Sequence, residues 1–159
     1  MTVDLDTFRS VLGRFASGVT VITVVDAGGR DMGMTVSAFA SVSLEPPLVS
    51  VCIDHAASMY AALRDAEQFG VNILASEQEA LSRRFSGVES AHRFDGLGYE
   101  RGESGVVLLD DVVAHMECER VAQHEAGDHT LFIGQVERAI VRDARPLLYY
   151  RGGYARLER

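Results

Sequence analysis

Apolar residues recur at two spacings along this chain, and the switch between them divides it into elements. Leu5, Phe8, Val11, Leu12 and Phe15 fall three or four apart, the spacing of one helix face. Asp4 stands where an N-cap would accept from free helical amides, so the pattern predicts a helix from Asp4 to Phe15, ended by Gly18. Val19 to Val25 is a β-branched strand, and Asp26-Ala27-Gly28-Gly29-Arg30 has the composition of a hairpin turn. From Gly33 the residues alternate. Met34, Val36, Ala38, Ala40, Val42 and Leu44 are apolar, while Thr35, Ser37, Ser41 and Ser43 carry hydroxyls, with Phe39 among them. Successive strand side chains point to opposite faces, so this spacing predicts one apolar face and one ladder of small hydroxyls. Pro46-Pro47 interrupts the ladder, and the continuous apolar run Leu48 to Ile53 reads as a central buried strand.

Further along, a short helix is expected from Asp54–Ser58 to about Ala66, a strand over Phe69 to Leu74 and a second helix over Glu77 to Phe85. Ser86 to Gly105 is glycine-rich and irregular, which predicts a mobile loop. Val112 to Val121, Thr130 to Val141, Leu147 to Tyr150 and Tyr154 to Leu157 complete the strands. No interval resembles a regular βαβ unit. The expected fold is therefore mainly β with peripheral helices, a small antiparallel β-barrel. A length of 159 residues without linker or repeat fits a single domain spanning residues 1–159.

Composition narrows the chemistry. The net charge of −8 opposes nucleic-acid binding, which draws its affinity from basic side chains on phosphates. All 15 basic residues are arginine, which excludes a P-loop, a Schiff-base lysine and a Ser–Lys dyad. No apolar run approaches the roughly 20 residues of a membrane span. The acidic N-terminus is unlike a signal peptide, so a soluble cytoplasmic protein without membrane association is expected. Cys52 and Cys118 lie in strand patterns and read as buried thiols. A Rossmann fingerprint fails, because Gly96-Leu97-Gly98 is followed by Arg101 and preceded by no strand. His124 and His129 lie five apart around a glycine, not four apart on a helix, and the strand face of His115, Glu117 and Glu119 reads as solvated; no metal site is expected. No G-x-S-x-G elbow is present.

Serine is a poor strand former, so a row of serines beside one aromatic suits a flat, polar, phosphate-bearing ligand. A half-exposed antiparallel strand accounts equally well for the alternation. The balance shifts with FASGVTVIT (Phe15 to Thr23), GMTVSAFASVSLEPPLVSVCID (Gly33 to Asp54), FGVNIL (Phe69 to Leu74), GDHTLFIGQV (Gly127 to Val136) and PLLYYRGGY (Pro146 to Tyr154). With these five strings in order over nearly the whole chain, the sequence resembles the short-chain flavin reductase family, the reductase components of two-component flavin-dependent monooxygenases.

The resemblance implies a flavin-binding split β-barrel and hydride transfer from NADH or NADPH to N5 of FMN or FAD. It also implies a homodimer and a partner monooxygenase that receives the reduced flavin. It places Thr35, Val36, Ser37 and Ala38 against the flavin ring, where donors and close backbone approach are needed, with Ala40 and Ser41 extending that edge. Cys52, Ile53 and Asp54 fall where similar proteins wrap the ribityl chain. Ser58, at the predicted start of a helix, reads as an anion site or as an ordinary N-cap. Arg84 and Phe85 match positions completing a phosphate or adenylate pocket; Phe85 reads equally as core. His129, in a polar turn, matches the residue on the nicotinamide side of the flavin and carries the catalytic assignment. Tyr150, Arg151 and Tyr154 match a segment that stacks on or grips a dinucleotide. Two other readings stand beside this one. A pyridoxamine-phosphate-type oxidase shares the barrel but needs a basic phosphate cluster, and a non-catalytic flavin-binding redox module would lack productive nicotinamide binding.

Overall fold

The structure, a computed structural model, describes residues 2–158. In chain order the elements are α1 (Leu5–Leu12), β1 (Ser17–Gly18), β2 (Thr20–Val25), β3 (Asp31–Val36), β4 (Phe39–Leu44), β5 (Pro47–Asp54), α2 (Tyr60–Asp65), β6 (Gln68–Ile73) and α3 (Glu79–Gly87). A 3₁₀ turn (Ser90–His92) follows, then β7 (Tyr99–Arg101), β8 (Val107–Leu109), β9 (Ala114–Ala126), β10 (His129–Val141), β11 (Leu147–Tyr150) and β12 (Gly153–Arg156). Seven strands make one antiparallel sheet in the order β3-β2-β6-β9-β10-β5-β4. Its two edges, β3 and β4, are neighbours in sequence and are joined only by Ser37-Ala38. The sheet therefore curls until its edges meet. At that seam Ala38 accepts a 3.1 Å hydrogen bond from the Cys52 amide, and the Thr20 hydroxyl donates to the Val36 carbonyl at 2.6 Å. The expected barrel is present but stays open, since β3 and β4 form no ladder with each other.

β2 shows why its sequence is almost wholly apolar: every residue from Thr20 to Val24 is buried. Ile22 and Val24 join the barrel core with Val51, Ile53, Phe69 and Phe132, while Val19 and Val21 join a second core with Leu74, Phe85, Val107 and Leu147. A strand covered on both faces reads as a continuous hydrophobic run. Two buried polar side chains fasten the outer layer to the sheet. Thr23 donates to the Val107 carbonyl at 2.7 Å, and Asn72 donates to the Val21 carbonyl at 3.0 Å while accepting from the Leu109 amide at 2.8 Å.

Five expectations are corrected. α1 ends at Leu12 because Gly13 caps it, its amide donating to Arg9. Ser17-Gly18, expected to end the helix, instead pairs with Tyr149 and Leu148 of β11. The hydroxyl ladder is not one strand: the break at Ser37-Ala38 reverses the facing, so Phe39 packs on the core while Val42 and Leu44 are exposed. The segment from Ser86 to Gly105 is not an irregular loop. It carries the 3₁₀ turn and β7, held by Arg84, and by Arg93, which donates to the Val88 and Gly33 carbonyls. Glu117 does not lie on a solvated face. It is buried, and its carboxylate accepts from the amide and hydroxyl of Ser104, which hold its pKa below the ordinary value against the opposing effect of burial.

Cys118 is buried, and burial pushes its thiol up to about 12, whereas Cys52 is only half-buried and its thiol is raised by the same cause. Among the described residues no group of three or more His, Cys, Asp or Glu is placed to hold a metal ion, and no helix is long and apolar enough to cross a membrane.

Two outcomes are expected. Asn72→Leu strands the Leu109 amide and the Val21 carbonyl, so urea unfolding will show a loss of about 2 kcal/mol or more. Burial disfavours the reactive thiolate, so a thiol reagent at pH 8 will modify Cys52 first, and Cys118 only on unfolding.

Candidate functional site

Ser37 lies between two hollows that also share Val19. One, of about 170 Å³, is lined by Thr35, Ser82, Ser86, Tyr149 and Tyr154; the other, of about 220 Å³, by Ser17, Gly18, Thr20, Phe39 and Ile73. The first is built by a chain of hydrogen bonds. The Thr35 hydroxyl donates to the Ser82 carbonyl at 2.6 Å, and the Ser82 hydroxyl is 2.7 Å from the Tyr154 hydroxyl. Tyr154 meets Tyr149 edge to face at 5.4 Å, and the Arg83 guanidinium lies 5.0 Å from the Tyr154 ring centre. A strand, a helix and the C-terminal hairpin thus fix one wall. Ser37 itself is exposed and its hydroxyl makes no hydrogen bond to the described residues.

A second group gathers where β5 ends and β10 begins. Asp54 lies opposite His129 in the ladder, and the Asp54 carboxylate accepts from the Ala56 amide at 2.8 Å. Gly127, at φ 63°, and Asp128 make the two-residue turn between β9 and β10, with positive φ at its first position as such hairpins require. His129 Nδ1 is 2.7 Å from the Asp128 carboxylate, so Nδ1–H donates and Nε2 points away from that contact. The hydrogen bond from His129, and then its charge, hold the Asp128 carboxyl below the usual range. On β5, Cys52 is half-buried and Ile53 fully buried. Across from β5, Ala40 and Ser41 are exposed on β4, opposite Ser50 and Val49.

The structure brings Thr35, Ser37 and Tyr154 together and sets Asp54 beside His129. It adds Ser82, Ser86 and Tyr149, which sequence reasoning missed. The available signal was the four-residue spacing of Ser82 and Ser86, which puts both on one face of α3. Val36 and Ile53 are buried side chains, so only their backbone can face a ligand. Tyr150 and Arg151 sit at the tip of the last hairpin, where Arg151 (φ 52°) and Gly152 (φ 75°) make the turn and the Arg151 amide donates to Gly13 at 2.9 Å.

Three assignments change. Ser58 is exposed and precedes Met59, the N-cap of a six-residue helix, so it neither caps that helix nor stands at its first turn. The Arg84 guanidinium is taken up by the carbonyls of Arg93 (2.6 Å), His92 (3.1 Å) and Asp95, which leaves it structural work in place of gripping a phosphate. Phe85 is fully buried, 5.0 Å from Phe94 edge to face, and a Cβ on Gly33 would lie 2.8 Å from its ring. A larger cavity, of about 840 Å³, lies along α3 toward Leu97 and Asp110 and is lined by only Arg84 of the expected residues. The hydroxyls gather instead around Ser37, and we place the site there on chemistry, not on size.

The residues at the seam fit a flavin. An isoalloxazine needs an apolar surface for its faces and a donor for its polar edge; Val19, Phe39, Tyr149 and Tyr154 offer the surface, and the Ser37 hydroxyl, unlike those of Thr20, Ser82 and Ser86, is uncommitted among the described residues. A curled antiparallel sheet left open at such a seam is the split barrel of flavin reductases. The chain belongs to the Flavin reductase like domain family, which matches residues 12–158. It is 41% identical over 152 residues to the FMN reductase (NADH) SmoA of Agrobacterium fabrum, covering 96% of this chain and 86% of that protein. It is 44% identical to an NADH-dependent flavin reductase of a Rhodococcus species, covering 94% and 85%. The fold matches an NADH:FAD oxidoreductase of Streptomyces globisporus, solved with NAD and FAD fragments, at a TM-score of 0.91 and 37% identity, covering 99% and 96% of the two chains.

The revised place of Phe85 has a measurable consequence. Phe85→Leu will lower stability by about 1–3 kcal/mol in urea unfolding while flavin affinity stays within about twofold.

Proposed function

We propose that this chain is an NADH:flavin oxidoreductase whose flavin site is the barrel seam. The observation that carries the reading is the hollow around Ser37, walled by hydroxyls and aromatics at the one place where the sheet's edges meet without pairing. A bound flavin supplies the electron-accepting ring that takes a hydride from reduced nicotinamide; the protein supplies binding, orientation and exclusion of water. The seam backbone from Thr35 to Ala38 lies against the ring, and the Ser37 hydroxyl supplies a donor to its polar edge. Ala40 and Ser41 continue that edge, while Cys52, the Ile53 backbone and Asp54 flank the chain leading to the phosphate. His129, held at Nδ1 by Asp128, turns Nε2 toward the nicotinamide side. Tyr154 walls the hollow, and Tyr150 and Arg151 meet the outer part of a dinucleotide. NADH is the donor in the names of similar proteins, and both FMN and FAD occur among them. Reduced flavin passes to a separate monooxygenase, as for the relative named as the reductase subunit of a flavin-dependent monooxygenase in Rhodococcus jostii, 38% identical to this chain.

We further propose a homodimer. Leu5, Val11, Leu12 and Phe15 leave α1 and its end apolar yet uncovered, Phe15 being 83% exposed, and Leu44 on β4 is 95% exposed. So much apolar surface is stable in water when a second copy covers it.

Oxidation of NADH and NADPH with and without FMN, FAD or riboflavin tests the activity: flavin-dependent loss of absorbance with NADH is expected, and flavin binding without oxidation would reject a reductase. His129→Ala is expected to raise the KM for NADH about tenfold, the worth of one hydrogen bond to a charged group, and flavin affinity less than twofold. Equal loss of both would contradict its role. Phe15→Asp is expected to shift the protein to a monomer in light scattering; an unchanged mass would place the interface elsewhere.

A further inference from the structure

His55 lies one residue beyond the end of β5, past the last ladder pair, Asp54 opposite His129. A chain leaving a sheet there normally turns away, and the facing residues fray. Here it stays. The His55 amide donates to the Asp128 carbonyl at 2.9 Å, and His55 Nε2 is 2.8 Å from the Thr130 hydroxyl. Asp128 and Thr130 are the two residues flanking His129, so one side chain and its own backbone clasp the residue before and the residue after it. The clasp is firm on both sides. Thr130 is buried at 1% exposure, and its hydroxyl also lies 3.4 Å from the Tyr60 hydroxyl. The His55 ring rests on Tyr60 at 4.8 Å between centres, and Tyr60 packs on Phe132 of the barrel core at 6.2 Å. The turn of the chain after Asp54, closed by the Asp54 carboxylate on the Ala56 amide, brings the ring back over β10.

We propose that His55 is a positioning residue for His129: it fixes the backbone on both sides of that histidine and so sets the direction of Nε2 toward the nicotinamide. The proposal rests on the reading of His129 given above. The His55 ring acts through Thr130, and its backbone amide through Asp128. Asp128 completes the arrangement, because the residue that His55 holds by its carbonyl also holds the His129 ring by its carboxylate.

The test compares His55→Ala, His55→Gln and Thr130→Val with His129→Ala, each first checked for folding by circular dichroism. His55→Ala and Thr130→Val are expected to raise the KM for NADH about fivefold, with kcat and FMN affinity changed less than twofold. The double variant is expected to lose no more than either single one, since both remove the same contact. The amide of His55→Gln reaches the same hydroxyl and restores most of the loss. In the flavin-free protein, the ring resonances of His129 in NMR are expected to broaden or shift in His55→Ala and to return in His55→Gln. An unchanged NADH KM in both single variants, with His129→Ala impaired, overturns the proposal. Equal loss of FMN affinity in His55→Ala also overturns it, by making His55 a direct flavin contact. If His129→Ala itself leaves NADH use intact, the reading of His129 fails first, and the NMR comparison still decides whether His55 orders that ring.

Discussion

The meeting of two sheet edges at Ser37-Ala38 is the constraint on which the rest of this structure depends. Seven antiparallel strands whose outermost members are consecutive in sequence cannot lie flat, because two residues span only about 7 Å. The sheet must curl, and curling puts Ile22, Val51, Ile53, Phe69 and Phe132 into one interior. An edge strand carries unpaired backbone groups, which proteins normally cover or pair. Here the seam keeps a few contacts, the Cys52 amide on Ala38 and the Phe39 amide on Ser37, and no ladder. A ligand with a polar edge can use what remains.

α3 supports that seam from outside through Ser82. This serine is fully buried; its carbonyl accepts from Thr35 and its hydroxyl meets Tyr154. The strand before the seam and the hairpin at the far end of the chain are thus referred to one residue on a rigid element. Behind the helix, Arg84 gathers three carbonyls and Phe85 fills the second core, so the segment that follows is held against the sheet. The two residues expected to grip a phosphate instead keep the wall of the site in place.

The strands and their approximate bounds were legible because alternation and apolar runs are local properties. β2, β5 and β6 stand within a residue or so of where their patterns put them. What was not legible depended on contacts far apart in sequence. Nothing local says that Ser37-Ala38 breaks the ladder, since the apolar and hydroxyl positions continue in step across it; the break follows from closing the barrel. Nothing local buries Glu117, whose partner Ser104 reaches it from a separate loop. Phe85 could be read as core or as pocket until Phe94 and Gly33 were found against it. The hydroxyls of the candidate site were marked by strand alternation on β3, whereas on α3 only the four-residue spacing of Ser82 and Ser86 marked them.

Among the shifted carboxyls only Asp128 adjoins a candidate site residue, His129. The shifted carboxyls, Asp4, Asp26, Asp65, Glu117 and Asp128, are all moved downward, chiefly by hydrogen bonds from amides, hydroxyls or basic side chains, even where burial opposes it. A carboxylic acid kept protonated near neutrality, the usual sign of general-acid work, is not among them. The buried nucleophile Cys118 is moved upward and away from reactivity. What the protein holds ready where β10 begins is the oriented imidazole of His129, whose carboxylate partner Asp128 is held below the usual range. On the function proposed above, the seam would take one ring and the clasped His129 turn the other, so that specificity would rest on geometry.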